Sequence, residues 1–236
     1  MKLTVLGNTG PYPAAGGACS GYLLENGSSK IVLDMGNGVL SNLLRICKIE
    51  DISAIVLSHL HPDHISDLFV LRYALEFKGL TVPLYAPSQP EEEFARLAYK
   101  DVFDIQVLCD KTVIEADGMT LTFREMQHPY QDFAVKAVGE GGTFMYTGDT
   151  AMCDNLMDFA QGVNVLLCDS AFLDNVDSNI HLSMQKAIDL ANTIAARRLI
   201  LTHFNPEINP QRYYEIGNGR FNGRLSKAEI MASFTI

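Results

Sequence analysis

Residues 54–64, AIVLSHLHPDH, constrain the fold most, because an apolar strand leads directly into three histidines and an aspartate. The chain has only six histidines, so half of them lie here. If the backbone stays extended, His59 and His61 point to the same side, since side chains alternate along a strand. A proline then ends the strand, and Asp63 and His64 project in another direction from a turn into a helix. This density of imidazole and carboxylate groups indicates two ligands for each of two metal ions.

Short strand-like segments alternate with segments whose apolar residues recur every three or four positions. Strands are predicted for KLTVLG, GYLLE, KIVLDMG, AIVLSH, VPLYAP, LTFREMQH, FAVKAVG, TFMYTGD, VNVLLCDS and RLILTHF. Helices are predicted for GVLSNLLRICK, HISDLFVLRYALEF, PEEEFARLAYKDVF, NLMDFAQG and SMQKAIDLANTIAA. We therefore expect one α/β domain over residues 1–236, with two sheets packed face to face and helices outside. Periodicity alone leaves other α/β folds open.

Composition narrows the functional classes. The formal net charge of −10 disfavours a large nucleic-acid surface, although it does not exclude a local basic patch. No apolar segment reaches the roughly 18 residues that a membrane span needs, and MKLTVLGNTG does not resemble a signal peptide. The five cysteines contain no C-x-x-C pair, which favours reduced thiols. We expect a cytoplasmic protein with no membrane partner, and the sequence leaves a homodimer open.

The other three histidines stand at the ends of predicted elements, where functional side chains are often placed. His128 follows a predicted strand, His203 follows another, and His181 precedes a helix. Taken singly, each is more typical of a structural or surface residue. Beside the dense histidine segment, His128 and His203 become candidate ligands. Asp149 ends a strand after a glycine, where aspartate is often only a turn or cap residue, but here it could bridge two cations.

These segments together resemble the metallo-β-lactamase fold superfamily. SHLHPDH matches its H-x-H-x-D-H motif. LDMGNG with Asp34, the segment at His128, TGDT with Asp149 and LTHF with His203 match its remaining motifs in order. The resemblance covers nearly the whole chain. It implies an αββα sandwich of two mixed β-sheets flanked by helices, with the site at one edge of the sheets.

The resemblance also implies a ligand set. Two divalent cations are implied, zinc or manganese, and iron is also compatible. One cation would be held by His59, His61 and His128, and the other by Asp63, His64 and His203. Asp149 would lie between them and contact both. A water or hydroxide would bridge the cations. Asp34 would support the histidine segment from outside the ligand set, because ligating imidazoles need an outer acceptor to orient them.

Two further segments, CDSAF and HLS, resemble the tRNA 3′-end endonuclease (ribonuclease Z) branch and its phosphodiesterase relatives. That likeness implies that His181 lies beside the scissile phosphate and that Asp169 orients it, with Asp63 also in the catalytic group. The alternative is that His181 has no catalytic role and is only an exposed residue at the start of a helix. The long Gly/Pro-rich insertion that grips tRNA in ribonuclease Z is absent. The chain therefore looks more like arm-less relatives, such as the cyclic phosphodiesterase of phosphonate breakdown, although that enzyme's additional structural metal site is not evident here.

We therefore expect a dinuclear metal-dependent hydrolase, a phosphodiesterase that acts on a small or cyclic nucleotide-like substrate. RNA is a disfavoured substrate. Three alternatives remain open at this point: a ribonuclease Z-like tRNA 3′-end endonuclease, a thioester or lactone hydrolase of the same fold, and a metal-binding protein without hydrolytic activity.

Overall fold

A computed structural model describes residues 1–236, which form fourteen strands. In chain order the strands are β1 (Lys2–Gly7), β2 (Gly21–Asn26), β3 (Ser29–Leu33), β4 (Ala54–Val56), β5 (Val82–Ala86), β6 (Phe103–Val107), β7 (Val113–Ala116), β8 (Met119–Glu125), β9 (Phe133–Gly139), β10 (Gly142–Tyr146), β11 (Val165–Asp169), β12 (Arg198–Thr202), β13 (Arg224–Lys227) and β14 (Ser233–Thr235). The helices are α1 (Val39–Leu43), α2 (Pro62–Ile65), α3 (Leu68–Lys78), α4 (Glu91–Leu97), α5 (Asp154–Phe159), α6 (Met184–Thr193) and α7 (Pro210–Gly217). None of these helices combines the length and apolar composition needed to cross a membrane.

The strands make two seven-stranded sheets, with the orders β14-β1-β2-β3-β4-β5-β6 and β13-β12-β11-β10-β9-β8-β7. Both sheets are mixed. Strands β3 to β6 are parallel in the first sheet, and strands β10 to β13 are parallel in the second. The predicted fold of two mixed sheets flanked by helices is confirmed.

The apolar cores explain why several strands are continuously hydrophobic. In β3, Ile31 and Leu33 pack into the core between the sheets, whereas Val32 faces the opposite side and packs with helix residues such as Leu71. A strand covered on both faces has no solvent side, so it reads as an unbroken apolar segment. The second sheet is covered by α6, whose Ile188 and neighbouring apolar residues are buried against it.

The predicted elements differ from the structure mainly at edges and ends. The helix predicted for PEEEFARLAYKDVF is wrong at its end, because α4 stops at Leu97 and Phe103 begins β6, where it pairs with Val82 of β5. Pairing to a neighbouring strand outweighs local helical periodicity there. Edge strands β7, β13 and β14 and helix α7 also form where no element was predicted. All five cysteines are free, as their spacing predicted.

Candidate metal centre

The candidate centre lies at the carboxyl ends of parallel strands. His59 follows β4, Asp149 follows β10, Asp169 ends β11 and His203 follows β12. Ligand-binding residues gather at this edge in open α/β sheets, because neighbouring parallel strands end side by side. Residue His203 has a φ of 56°, in the left-handed region that a side chain rarely adopts. Such a conformation persists only where the surrounding structure holds it.

The first cluster contains His59, His61 and His128. One nitrogen from each imidazole lies within 4.8 Å of the others. Nε2 of His59 and Nδ1 of His61 are 2.9 Å apart, so the two histidines converge as an extended backbone predicts. His61 keeps extended backbone angles and directly precedes α2.

The second cluster contains Asp63, His64, Asp149 and His203, whose ligand atoms also lie within 4.8 Å of one another. Oδ2 of Asp149 is 3.3 Å from Nε2 of His64 and 3.3 Å from Nε2 of His203. The same oxygen lies 3.7 Å from Nε2 of His59, which belongs to the first cluster. Asp149 therefore stands between the clusters. The structure brings together all seven residues for which the sequence resemblance implies a ligand role.

His181 lies at the rim of this centre and Asp169 is buried behind it. Nδ1 of His181 is 2.9 Å from Oδ2 of Asp169 and 3.9 Å from Oδ2 of Asp149. Asp169 is held by backbone amides of Thr150, Ala171 and Leu182, so its position does not depend on the histidine alone. His181 is also within reach of a cluster with His128 and Asp149. The side chain of His181 is 19% exposed, which leaves it accessible from the solvent side.

Asp34 occupies the outer position that the resemblance implies. Its Oδ2 lies 2.8 Å from Nδ1 of His64 and accepts the Tyr146 hydroxyl at 2.8 Å. Its Oδ1 accepts the backbone amide of Ser58 at 2.7 Å, and the Ser58 hydroxyl donates to Oδ2. The carboxylate is fully buried and joins the histidine segment to β10.

Three buried residues next to the centre carry no signal in the sequence motifs. Asp132 places Oδ2 2.8 Å from Nδ1 of His59, and Ser20 places its hydroxyl 3.1 Å from Nδ1 of His203. Tyr146 is the third, through its bond to Asp34. Each is distant in the chain from the motif residue that it contacts, and Tyr146 also resembles an ordinary residue at the end of a strand. Only an acidic residue at the start of the apolar strand β9 could have drawn attention to Asp132.

Burial and charge set the protonation of these imidazoles. Burial lowers the pKa of His59 well below its ordinary value and lowers the pKa of His128 to about 4. Both rings are therefore neutral at pH 7, which is the form that binds metals. Burial acts in the same direction on the pKa of His64, but the carboxylates of Asp149 and Asp34 outweigh it and raise that pKa well above its ordinary value.

The carboxylates and His181 respond to the same charges. Burial would raise the pKa of Asp149, but the imidazoles of His203 and His64 hold it well below its usual range. Burial raises the pKa of Asp132 well above its ordinary value, with a further contribution from Asp149. Burial lowers the pKa of His181, yet the charge and hydrogen bond of Asp169 outweigh it and raise that pKa to about 9.

The residues present fit divalent cations. Polar atoms inside the centre are buried without a hydrogen-bond partner: His64 Nε2, His128 Nδ1 and Asp149 Oδ1. Buried polar atoms are normally paired, because leaving one unpaired costs free energy. Imidazole nitrogens and carboxylate oxygens are ligands that suit zinc and also manganese. The structure thus contains a histidine and aspartate cluster suited to metal binding.

The sequence matches a family model described as the beta-lactamase superfamily domain over residues 29–204. It is similar to the probable metallo-hydrolase YhfI of Bacillus subtilis, with 32% identity over 86% of each chain. The crystal structure of that metallo-beta-lactamase fold protein superposes with a TM-score of 0.92 at 30% identity and covers 99% of both chains.

Two other proteins show more distant similarity. Ribonuclease Z of Streptomyces avermitilis is 24% identical over 96% of this chain and 95% of its own length. A diphosphatase from the PhnP family superposes with a TM-score of 0.76 at 18% identity, covering 100% of this chain and 97% of that one. At that identity the superposition shows the fold alone.

Proposed function

The chain belongs to the beta-lactamase superfamily domain family and is a metallo-hydrolase, and from that premise we propose that it hydrolyses small phosphodiesters with two divalent cations. The cations would be zinc or manganese, and a cyclic nucleotide-like diester is the substrate class that we favour. The observation that carries the proposal is the pair of His181 and Asp169 beside two contiguous ligand clusters.

The ligand roles follow the two clusters. His59, His61 and His128 would hold one cation, Asp63, His64 and His203 would hold the other, and Asp149 would contact both. When bound, two divalent cations supply positive charge for the phosphoryl oxygens and lower the pKa of a nucleophilic water. The residues of the chain have a separate task, which is to hold the ligand atoms in place and to deliver a proton.

His181 is suited to deliver that proton. Asp169 holds Nδ1, so the other ring nitrogen is free to face a bound substrate. The carboxylate also favours the protonated ring, which can stabilise a phosphoryl oxygen or donate to the leaving alkoxide. Asp63 keeps its carboxylate in the second cluster, where it is 3.6 Å from Nε2 of His64.

Charge favours a phosphodiester over a neutral ester. With the cations bound, the protonated imidazole of His181 would add to the stabilisation of an anionic substrate and of the further charge of its transition state. A thioester has a better leaving group than an alkoxide, so it has less need of a proton donor at the position of His181. The pair of His181 and Asp169 therefore supports phosphodiester chemistry over the thioester alternative.

Similarity to ribonuclease Z favours RNA cleavage as a second candidate, because the likeness spans nearly the whole chain. Bis-p-nitrophenyl phosphate, 2′,3′-cyclic nucleotides, a pre-tRNA, a thioester and a lactone should be assayed side by side with measured metal content. We expect about two cations per chain and turnover of the small diesters. Faster turnover of the thioester or the lactone than of every phosphodiester would reject the proposal.

A further inference from the structure

Asp132 is a fully buried carboxylate beside the candidate centre and outside its ligand set. It lies in the segment that precedes β9, and its carbonyl accepts the backbone amide of Met126. The next residue, Phe133, donates its amide to the carbonyl of Ser58. These bonds fix Asp132 against the segment that follows β4, immediately beside His59.

The carboxylate contacts two residues of the centre through one oxygen. Oδ2 lies 2.8 Å from Nδ1 of His59 and accepts the backbone amide of Asp149 at 3.2 Å. An acceptor at Nδ1 favours the tautomer that carries its proton there, which leaves the lone pair of Nε2 available. Nε2 of His59 in turn faces Nδ1 of His61 at 2.9 Å. The hydroxyl of Ser58 also forms a hydrogen bond with Nδ1 of His59, at 3.1 Å, and donates its own proton to a different carboxylate.

The position of Asp132 is costly for the fold. Its Oδ1 is buried without a hydrogen-bond partner, and removing a carboxylate from water is expensive unless it is paired. Gly148, with a φ of 61°, packs directly on it, and a β-carbon there would collide with Oδ1. The absence of a β-carbon at Gly148 therefore leaves space for the Asp132 carboxylate. An apolar side chain in the place of Asp132 would cost less desolvation free energy. A role at the centre accounts for its presence.

Asp34 provides the comparison, because it serves a different imidazole. Its carboxylate contacts Nδ1 of His64, a member of the second cluster, and is also satisfied by Ser58 and Tyr146. Each of the two buried carboxylates thus stands behind one histidine, and those histidines belong to different clusters.

We propose that Asp132 is a positioning residue that fixes the tautomer and orientation of His59 and so sets the metal affinity of the His59–His61–His128 cluster. It acts on that cluster while Asp34 acts on the other. This inference rests on the two-cation centre of the proposed function.

The test compares Asp132→Ala and Asp132→Asn with Asp34→Asn as the matched control. Zinc affinity is measured by competition with a chelator, and cobalt(II) spectra identify which position loses its ion. We expect Asp132→Ala to weaken one ion by about 10–100-fold and to leave the other at the wild-type affinity. Asp34→Asn should weaken the other ion. Asp132→Asn keeps an oxygen acceptor for Nδ1, so it should lose less affinity than Asp132→Ala.

A second readout requires no metal. The metal-free protein is labelled with ¹⁵N-histidine. Long-range ¹H–¹⁵N NMR spectra of the wild type should show the His59 ring with its proton on Nδ1. In Asp132→Ala the same ring should be a mixture of the two tautomers. Unchanged affinity, equal weakening of both ions, or an unchanged tautomer would overturn the inference. If Asp132→Ala fails to fold, the same measurements on Asp132→Asn decide. A wild-type protein that binds fewer than two ions would contradict the proposed function, and the NMR result would still decide the role of Asp132.

Discussion

At the scale of single residues, Asp149 is the point on which both clusters converge. Its Oδ2 faces imidazole nitrogens from each cluster, and the side chain is only 2% exposed. Its removal takes away negative charge that is shared between two positions. A neutral replacement would leave the surrounding imidazoles in place without the carboxylate that joins them.

Asp149→Ala should therefore lose metal as well as activity. Substitution of a residue that only orients a ligand typically weakens metal binding by about 10–100-fold. Because Asp149 is a proposed ligand, we expect its removal to weaken metal binding by more than about 100-fold. Elemental analysis after gel filtration, together with bis-p-nitrophenyl phosphate turnover, measures both effects. Retention of two ions per chain in this variant would show that Asp149 does not bridge the clusters.

His181→Ala should behave differently, because the proposed role of His181 is to donate a proton. It should keep the wild-type metal content while kcat for an alkyl or nucleotide diester falls by about 10²–10⁴-fold, with a smaller change in KM. The loss should shrink for p-nitrophenyl diesters, since p-nitrophenolate leaves without protonation. Loss of a metal ion from this variant would instead assign His181 to the ligands, in line with its place near His128 and Asp149.

At the scale of elements, the turn after β10 carries Gly148 and leads directly to Asp149 of the centre. Gly148 has a φ of 61° and packs against Asp132, so two constraints meet at one residue. Gly162, after α5, has a φ of 75°, and no atom lies within 4 Å of the position that a β-carbon would take there. Gly162 therefore has a left-handed backbone like that of Gly148, but it lacks the close contact that Gly148 makes with Asp132.

The two glycines make a matched pair. Gly162→Ala should lower the free energy of unfolding by about 1–2 kcal/mol, which is the cost of the left-handed conformation alone. Gly148→Ala should lower it by more, because the added carbon collides with a buried carboxylate. Urea unfolding of the metal-free proteins gives both values. Equal losses at the two positions would contradict the close contact with Asp132.

At the scale of the whole molecule, charge argues for small substrates. Acidic residues outnumber Lys and Arg by 28 to 18. Contacts from Lys and Arg to phosphates supply most non-specific affinity for nucleic acids. With cations bound, the candidate centre would offer positive charge for one phosphate group, and the net charge of −10 disfavours binding of a long polyanion.

We expect kcat/KM for small phosphodiesters to exceed kcat/KM for pre-tRNA at physiological salt. The comparison uses kcat/KM and not kcat alone, because weakly bound RNA could still be cleaved at saturating concentrations. Titration of salt provides a control, since an electrostatic RNA site weakens steeply as salt rises. A pre-tRNA value well above that of every small diester would favour the ribonuclease Z-like alternative.

We also propose that residues 1–236 act as one domain. Strand β14 pairs with β1, so the last strand completes the sheet that the first one begins. Unfolding in urea should give coincident transitions by far-ultraviolet circular dichroism and by tyrosine fluorescence. Two separated transitions would instead indicate two units.

The sequence by itself predicted a metal-binding segment and, through the family resemblance, the fold class, because the motifs that carry both predictions are short contiguous segments. The spacing of SHLHPDH places three imidazoles and one carboxylate on one short segment, and side-chain alternation brings His59 and His61 together. Apolar strands that end in polar residues indicate where the other candidate ligands lie. These patterns depend on neighbours in the chain, so they survive without knowledge of the tertiary fold.

Only the tertiary structure decided what stands behind the ligands. Asp132, Ser20 and Tyr146 reach the centre from segments far from the residues that they contact, and local periodicity contains no information on such contacts. The same limit applies to residues 98–103, for which a helix was predicted, because α4 ends at Leu97 and Phe103 pairs with Val82 of β5. Long-range packing chooses these partners, because a buried polar group or a strand edge must be satisfied by whatever the fold places beside it.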